Sequence, residues 1–257
     1  LKPVANQDAV EMLWQAPTTR STGKLTIGAH LFPYDPDHQT FINVYEGDVL
    51  VRQEILSSGR TSVDFFTGSR QGLLAVFTTF TASGIHHIAI GPDHVLFIIG
   101  LLLLGGSLTR LLAIVTAFTL GHSVTLALAT LQIVDPPARI IEPAIALSIV
   151  YVGADNLLTG TKGRDVRAWV ALLFGLVHGF GFASVLRETG LPNRALGMSL
   201  FSFNLGVEIG QAMIVVIVSA ALALVRQRDP VLARRIATVG SVGVMIAGAY
   251  WFFERVF

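Results

Sequence analysis

The sequence predicts a mainly α, polytopic membrane protein: a helical bundle of about six transmembrane helices, one re-entrant or interfacial segment, and a small N-terminal β unit outside the membrane. Three observations carry this. First, 52% of the 257 residues are hydrophobic and only 14% are charged, which is too apolar for an ordinary soluble domain. Second, several apolar runs reach the roughly 20 residues that cross a bilayer. Third, residues 1–69 differ in kind from the rest and alternate apolar with polar side chains.

The N-terminal segment, residues 1–69, reads as an extracytoplasmic β-rich unit. KLTIGAHL (Lys24 to Leu31), QTFINVYE (Gln39 to Glu46) and DVLVRQEIL (Asp48 to Leu56) have the period of strands. Pro33-Tyr34-Asp35-Pro36 and Glu46-Gly47-Asp48 supply tight turns between them. The unit is short for a core of its own and reads either as the remnant of a larger domain or as a unit that leans on the membrane part. His30 and His38 read as solvent-facing or turn residues. The opening LKPVANQDAV is not a signal peptide, so an external first segment requires one that was removed or lies outside this chain.

Residues 70–257 form the transmembrane domain. Residues 71–104 are too long for one crossing. Gln71 to Ser83 reads as an interfacial or half-inserted helix, and the first span as Ile88–Leu104. Further spans are expected at Leu111–Leu131, Ile140–Leu158, Ala168–Leu186, Leu196–Val225 and Ile236–Phe253. Placing the β unit outside puts Arg110, Lys162, Arg164, Arg167, Arg226, Arg228, Arg234 and Arg235 in inner loops. Arg139, Arg187, Arg194 and Arg255 then lie outside. The excess of basic residues inside predicts both termini on the outer side, with the β unit periplasmic and the bundle in a bacterial inner membrane.

Ionisable groups in a membrane are costly and mark pathways or sites. The densest group is GIHHIAIGPDHVLFIIG, Gly84 to Gly100, in which His87, Asp93 and His94 form an H-x5-D-H pattern. Gly91-Pro92 inside it is expected to break a helix. Four more spans bring similar groups to comparable depth: His122, Glu142, His178, and Asn204 with Glu208. Gln211 lies one turn beyond Glu208. With no cysteine in the chain, a metal must take imidazole, carboxylate, amide or backbone ligands. The candidate metal ligands are His87, Asp93, His94, His122, His178 and Glu208, with His86, Glu142, Asn204, Gln211 and Ser123 in support. Imidazole suits nickel, zinc, copper and iron, and a carboxylate compensates charge or orients a histidine. Ser123 and Thr125 are expected to back-bond within their helix, and Asp155 and Asn156 to be boundary residues.

Short echoes hint at internal repetition. Gly84-Ile85-His86-His87 resembles Gly175-Leu176-Val177-His178, and Phe118-Thr119-Leu120-Gly121 resembles Phe203-Asn204-Leu205-Gly206. Three spans in each half would make the halves inverted, as in many secondary transporters.

Together GIHHIAIGPDH, FTLGHSVTL, FGLVHGFGFA and FNLGVEIGQ resemble the HupE/UreJ family over about residues 72–253, in the branch with an extracytoplasmic N-terminal extension. The resemblance implies a membrane protein associated with hydrogenase and urease operons and a permease for nickel or cobalt. It matches His87, Asp93 and His94 to that family's H-x5-D-H motif and His178-Gly179 to its second motif. Here the chain departs from the pattern: no glutamate follows soon after His178, and Glu208 on the next span is the nearest substitute. The leading expectation is a secondary permease for a divalent transition metal ion, nickel before cobalt or zinc. No nucleotide-binding motif is present, so coupling would be to protons, membrane potential or the ion gradient. Two alternatives stay open. One is an intramembrane zinc-dependent hydrolase acting on a lipid or membrane peptide. The other is a non-transporting subunit that docks on a larger membrane complex through its β unit. The expected partners are the metal ion and the lipid bilayer; a net charge of +1 gives no ground for a nucleic-acid partner.

Overall fold

The computed structural model describes residues 2–3, 10–11, 23–29, 39–46, 49–57, 59–66, 70–158, 165–182 and 193–257. His30, His38, the Pro33–Pro36 turn and the tip of the 46–48 turn lie outside the described residues, as do Lys162, Arg164 and Arg187.

The chain is mainly helical, and among the described residues its strands lie in the N-terminal part. These strands are β1 (Lys2–Pro3), β2 (Val10–Glu11), β3 (Lys24–Gly28), β4 (Thr40–Glu46), β5 (Val49–Leu56) and β6 (Ser62–Phe66). Among the described residues they form three antiparallel pairs: β1 with β2, β3 with β6, and β4 with β5. Strand β6 was not among the expected strands; Asp64 interrupts its apolar pattern. Asp64 has a defined job, accepting from Thr26 at 2.7 Å and pairing with Lys24 at 2.7 Å across the β3–β6 pair. The same strand buries Val63, Phe65 and Phe66. Phe66 meets Phe80 on the first helix, with ring centroids 6.1 Å apart, so the β unit does lean on the bundle.

Among the described residues seven helices follow: α1 (Arg70–Ile90), α2 (Pro92–Leu103), α3 (Leu108–Thr130), α4 (Ala138–Leu158), α5 (Arg167–His178), α6 (Asn193–Arg228) and α7 (Pro230–Val256). A 3-10 turn, Gly179–Phe182, continues α5. Among the described residues five helices are long and apolar enough to cross a membrane: Gly72–Ile90, Leu108–Thr130, Ala138–Leu158, Leu196–Arg228 and Pro230–Val256. Two shorter apolar helices, Pro92–Leu103 and Arg167–Gly181, complete the bundle. The chain is therefore an integral membrane protein.

The first crossing differs from the expected one. The segment expected at the interface, Gln71 to Ser83, runs without a break into the rest of α1, because nothing in 70–90 interrupts helical hydrogen bonding. The break falls at Gly91, whose backbone is extended (φ −77°, ψ 99°), with Pro92 opening α2. Proline has no N–H and clashes with the preceding turn, so it starts a helix readily and continues one badly. Gly84 on α1 lies against Phe203 and Val207 of α6, and Ile88 lies against Gly210, so the two helices run in the same direction. Beyond the break, Gly100 meets Val244 and Gly105 meets Arg226, so α2 continues toward the same end. α1 and α2 are thus one crossing, interrupted partway. With α5 and its 3-10 turn as a second short crossing, the described residues make six crossings.

The helices pack chiefly as α1 on α6, α3 on α5, and α4 on α7. The register of these contacts repeats. A Cβ at Gly84 would strike the Phe203 carbonyl and the Val207 nitrogen; one at Gly175 would strike the Phe118 carbonyl and the His122 nitrogen. A Cβ at Gly206 would strike the Thr81 carbonyl, and one at Gly121 the Leu172 carbonyl. A Cβ at Gly153 would strike the Ser241 carbonyl and Met245 nitrogen, and one at Gly248 the Ala146 carbonyl and Val150 nitrogen. Each pair of statements is the same contact between the halves, seen once from each half. It equates Gly84 with Gly175, Gly121 with Gly206, and Gly153 with Gly248. Helices α1, α3 and α4 therefore correspond to α5, α6 and α7. The α4–α7 pair is antiparallel, so the halves are related by inversion, with a pseudo-two-fold axis passing between them. The small residues permit these close backbone approaches.

Candidate metal centre

Counting along each helix from the end that carries Arg110, Arg167 and Arg226, His94, Ser148, His178 and His122 all lie roughly 14–21 Å up. That is the middle of a bilayer. The break at Gly91 sets two of the histidines against each other. His87 ends α1, His94 opens α2, and their rings are 4.7 Å apart between centroids. A side chain at 91 would press on the His87 carbonyl and on His94 Nδ1, so glycine is what lets them approach. His122 on α3 completes a trio: the ligand nitrogens of His87, His94 and His122 all lie within 4.8 Å of one another. Nitrogen donors about 2.1 Å from one ion in tetrahedral array lie about 3.5 Å apart, so the trio would close by up to about an ångström on an ion.

The rings are held by their neighbours. Asn204 Nδ2 donates to the Leu200 carbonyl at 2.9 Å, which turns its Oδ1 toward His122 Nδ1 at 3.1 Å. Nδ1 therefore carries the proton and donates, and His122 Nε2 keeps its lone pair. That nitrogen is buried and has no hydrogen-bond partner among the described residues, and the same holds for His94 Nε2. Phe118 and Phe203 lie nearly parallel to the His122 ring, at 24° and 22°, and fix its plane. His178 is set similarly. Ser148 Oγ donates its one proton to the Ile145 carbonyl at 2.6 Å, so it accepts from His178 Nε2–H at 2.9 Å. His178 Nδ1 is then a buried lone pair without a partner among the described residues. Its ring is 5.0 Å from that of His94. A buried polar atom left unpaired is expensive and asks for an explanation. The bare nitrogens of His94, His122 and His178 lie among Phe97, Phe118 and Phe203, and imidazole nitrogens of this kind are able to ligate a divalent transition metal ion.

The other sequence-predicted residues lie around this centre. Asp93 is adjacent to His94 in the chain and pairs with Arg255 at the end of α7. The Arg255 guanidinium donates to both carboxylate oxygens, at 3.2 and 2.9 Å, and to the Glu142 carbonyl at 3.2 Å. Glu142 is present through its backbone; its side chain is exposed, and so is that of His86. Glu208 bonds Thr116 of α3 through one oxygen, while the other is buried without a partner among the described residues. Gln211 and Thr119 make the neighbouring contact at 3.0 Å. With His122–Asn204 these form a polar ladder down the α3–α6 interface. Ser123 donates to the Thr119 carbonyl at 2.7 Å, the back-bond expected of it.

Several residues of the site carried no signal in the sequence. Ser148 sits in an unremarkable apolar helix, Thr116 likewise, and Arg255 lies 162 residues from the aspartate it pairs with. Asn156, expected at a boundary, is buried and donates to the Gly100 carbonyl at 2.7 Å and to Ser241 at 3.2 Å. Together with Arg167, which donates to the Leu101 and Gly105 carbonyls at 2.7 and 2.9 Å, it holds the free carbonyls at the end of α2.

Fold and site define a class: a six-crossing membrane protein built on an inverted repeat, with a buried histidine centre at an interrupted helix. A family profile described as "HupE / UreJ protein" matches residues 67–255, and the chain belongs to that family. Searches among curated proteins and among solved structures find no match.

Proposed function

We propose that the protein is a secondary permease for a divalent transition metal ion, nickel or cobalt, in the inner membrane of a bacterium, with both termini on the outer side. The observation that carries this is the approach of the ligand nitrogens of His87, His94 and His122 to within 4.8 Å of one another, at mid-depth where the helix breaks, within two inverted halves. Inverted repeats with discontinuous helices at the midplane are the architecture of alternating access. The family association with nickel and cobalt transport narrows the cargo. Imidazole is a suitable ligand for either ion.

In this reading the ion arrives on the Asp93–Arg255 side. A divalent cation competes with the Arg255 guanidinium for the Asp93 carboxylate, sheds water, and passes to His87, His94 and His122. The neutral tautomer of His122 set by Asn204 already presents its lone pair. Release toward the arginine-rich end takes the Gln211–Thr119 and Glu208–Thr116 ladder. The site must bind well enough to select and weakly enough to let go, and three neutral ligands without a bound carboxylate suit that.

The test is uptake in proteoliposomes with nickel, cobalt and zinc outside, alongside elemental analysis of the purified protein. Saturable nickel or cobalt entry, abolished in His94→Ala, is the expected result. Zinc held tightly, with no flux in either protein, would overturn the reading.

A further inference from the structure

At the arginine-rich end of the bundle, the last turn of α2, α4, the end of α6 and the first turns of α7 enclose a cavity of about 490 Å³. It lies roughly 14 Å along α2 from His94, clear of the histidine centre. Asn156 and Ser241 form its floor, joined by the Asn156 Nδ2 bond to Ser241 at 3.2 Å. Leu103 and Ala237 give it an apolar wall. Arg226 and Arg234 supply its charge, and among the described residues no carboxylate lines it, Asp155 beside Asn156 included. The α6–α7 turn brings these two arginines together. Asp229 caps α7, accepting from the Val231 and Leu232 N–H groups at 2.9 Å, and Pro230 opens the helix. The carboxylate of the turn is thereby engaged at the helix end. Neither arginine makes an ion pair among the described residues. Arg234 makes no hydrogen bond there either, and Arg226 gives one of its five N–H groups to the Leu104 carbonyl, at 3.5 Å. Two guanidinium groups that share a cavity without an acid repel each other and attract an anion.

We infer that this cavity binds the phosphodiester headgroup of an anionic lipid of the phosphatidylglycerol kind, drawn from the inner leaflet in the orientation proposed above. The planar guanidinium offers paired N–H donors to phosphate oxygens, which suits it to this anion better than a point charge. Basic pockets between helices on the cytoplasmic face of a membrane hold such headgroups. The surroundings distinguish a lipid from a free phosphate. On the turns of α6 and α7 that carry these arginines, Leu224, Val231 and Leu232 are exposed. A ligand whose charge enters the cavity therefore meets apolar surface beside it. An amphiphile covers both, whereas inorganic phosphate covers the arginines alone. The site also reaches the crossing that carries the histidine centre. Arg226 packs on Gly105, just beyond the end of α2, where a Cβ would overlap the guanidinium. A headgroup that fixes Arg226 thereby steadies that end of α2, whose other end carries His94.

The test uses the purified full chain in a neutral detergent, titrated with phosphatidylglycerol, with phosphatidylcholine of the same acyl chains, and with inorganic phosphate. Binding is read from the thermal transition and from the mass of the intact protein–lipid complex. Saturable binding of phosphatidylglycerol that raises Tm is expected, with no comparable effect from phosphatidylcholine or phosphate at the same concentration. Arg234→Gln is expected to bind it about 10-fold or more weakly, the cost of one charge-assisted contact. Its lipid-free transition should be unchanged, because that side chain is exposed and holds nothing else. Arg226→Gln should weaken binding likewise and also lower the lipid-free transition, since it gives up the Leu104 carbonyl. Arg235→Gln is the control: it is exposed at the same end but outside the cavity, and should bind as wild type does. Three results overturn the inference. One is the absence of saturable phosphatidylglycerol binding. The second is phosphatidylcholine or inorganic phosphate matching it, which removes the need for net charge or for acyl chains. The third is Arg235→Gln weakening binding as much as Arg234→Gln, which makes the attraction diffuse surface charge rather than a built site. None of these readouts involves a metal ion, so the outcome is independent of whether the protein transports one.

Discussion

His122 shows how much of a candidate metal centre lies in the residues behind it. Its ring is set by two phenylalanines, and its proton by Asn204, whose own orientation is set by the Leu200 carbonyl. Removing the acceptor while keeping the volume should free both tautomer and ring. Asn204→Leu is therefore expected to fold and to bind cobalt about 10- to 100-fold more weakly in a spectroscopic titration. Unchanged affinity would mean that the hydrogen bond only packs α6 on α3. The sequence placed Asn204 beside the site, but only as a polar residue one turn from Glu208. Which of its atoms meets which histidine nitrogen depends on helices 82 residues apart.

At the scale of the elements, α2 is a half-length helix fixed at both ends by arginines from elsewhere. Arg255 holds Asp93 in its first turn, and Arg167 holds the carbonyls at its end. Arg167 is itself steadied by Asp165, which pairs with it at 2.9 Å and with Arg110 at 2.6 Å. The Arg167 guanidinium, helped by the Arg167 backbone N–H and by Arg110, holds the Asp165 carboxyl well below the usual carboxylate range. A depressed folded-state pKa contributes stability above the unfolded value near 4, lost as pH falls through the folded value. Asp165→Asn should therefore lower the melting temperature at pH 7. The gap from wild type should narrow progressively below about pH 4; a gap that is constant with pH would place the effect in packing rather than charge. The α3–α5 pair makes a different prediction. Gly121 faces the Leu172 carbonyl so closely that any Cβ overlaps it. Backbone cannot step aside as a side-chain tip can, so Gly121→Val should cost roughly 3 kcal/mol or more and show as aggregation or a lost thermal transition in detergent. Gly243, where a Cβ meets nothing within 4 Å, is the matched control: Gly243→Ala should be neutral.

The whole molecule is two inverted halves with the polar side chains gathered where they meet. Its orientation can be read directly because the chain has no cysteine of its own. Glu142→Cys lies at the Arg255 end and Arg228→Cys at the arginine-rich end, both at exposed positions. A membrane-impermeant maleimide added to intact spheroplasts should label the first and not the second, and inverted vesicles should give the reverse. The opposite pattern would turn the molecule over, while leaving the centre and its chemistry in place.

Amino-acid order alone dictates the solvent of this chain. Its apolar fraction and run lengths require a bilayer, and six crossings result because backbone groups in lipid must be satisfied within helices. It also dictates where the cost of polarity is tolerated, so the intramembrane histidines stand out against leucine and valine without any coordinates. The HupE/UreJ motifs were legible for the same reason. Packing in three dimensions supplies what one-dimensional spacing cannot carry. His87 and His94 are seven residues apart, a spacing that would keep them on one face of a continuous helix; the break at Gly91-Pro92 turns them to face each other instead. Asp93, adjacent to His94 in the chain, is directed to Arg255 rather than into the trio. The four-residue echoes in the sequence became an inverted repeat only through the identical contacts of Gly84 and Gly175. Helix packing fixes the geometry of close backbone approach, while nearly every other side chain of the two halves is free to differ.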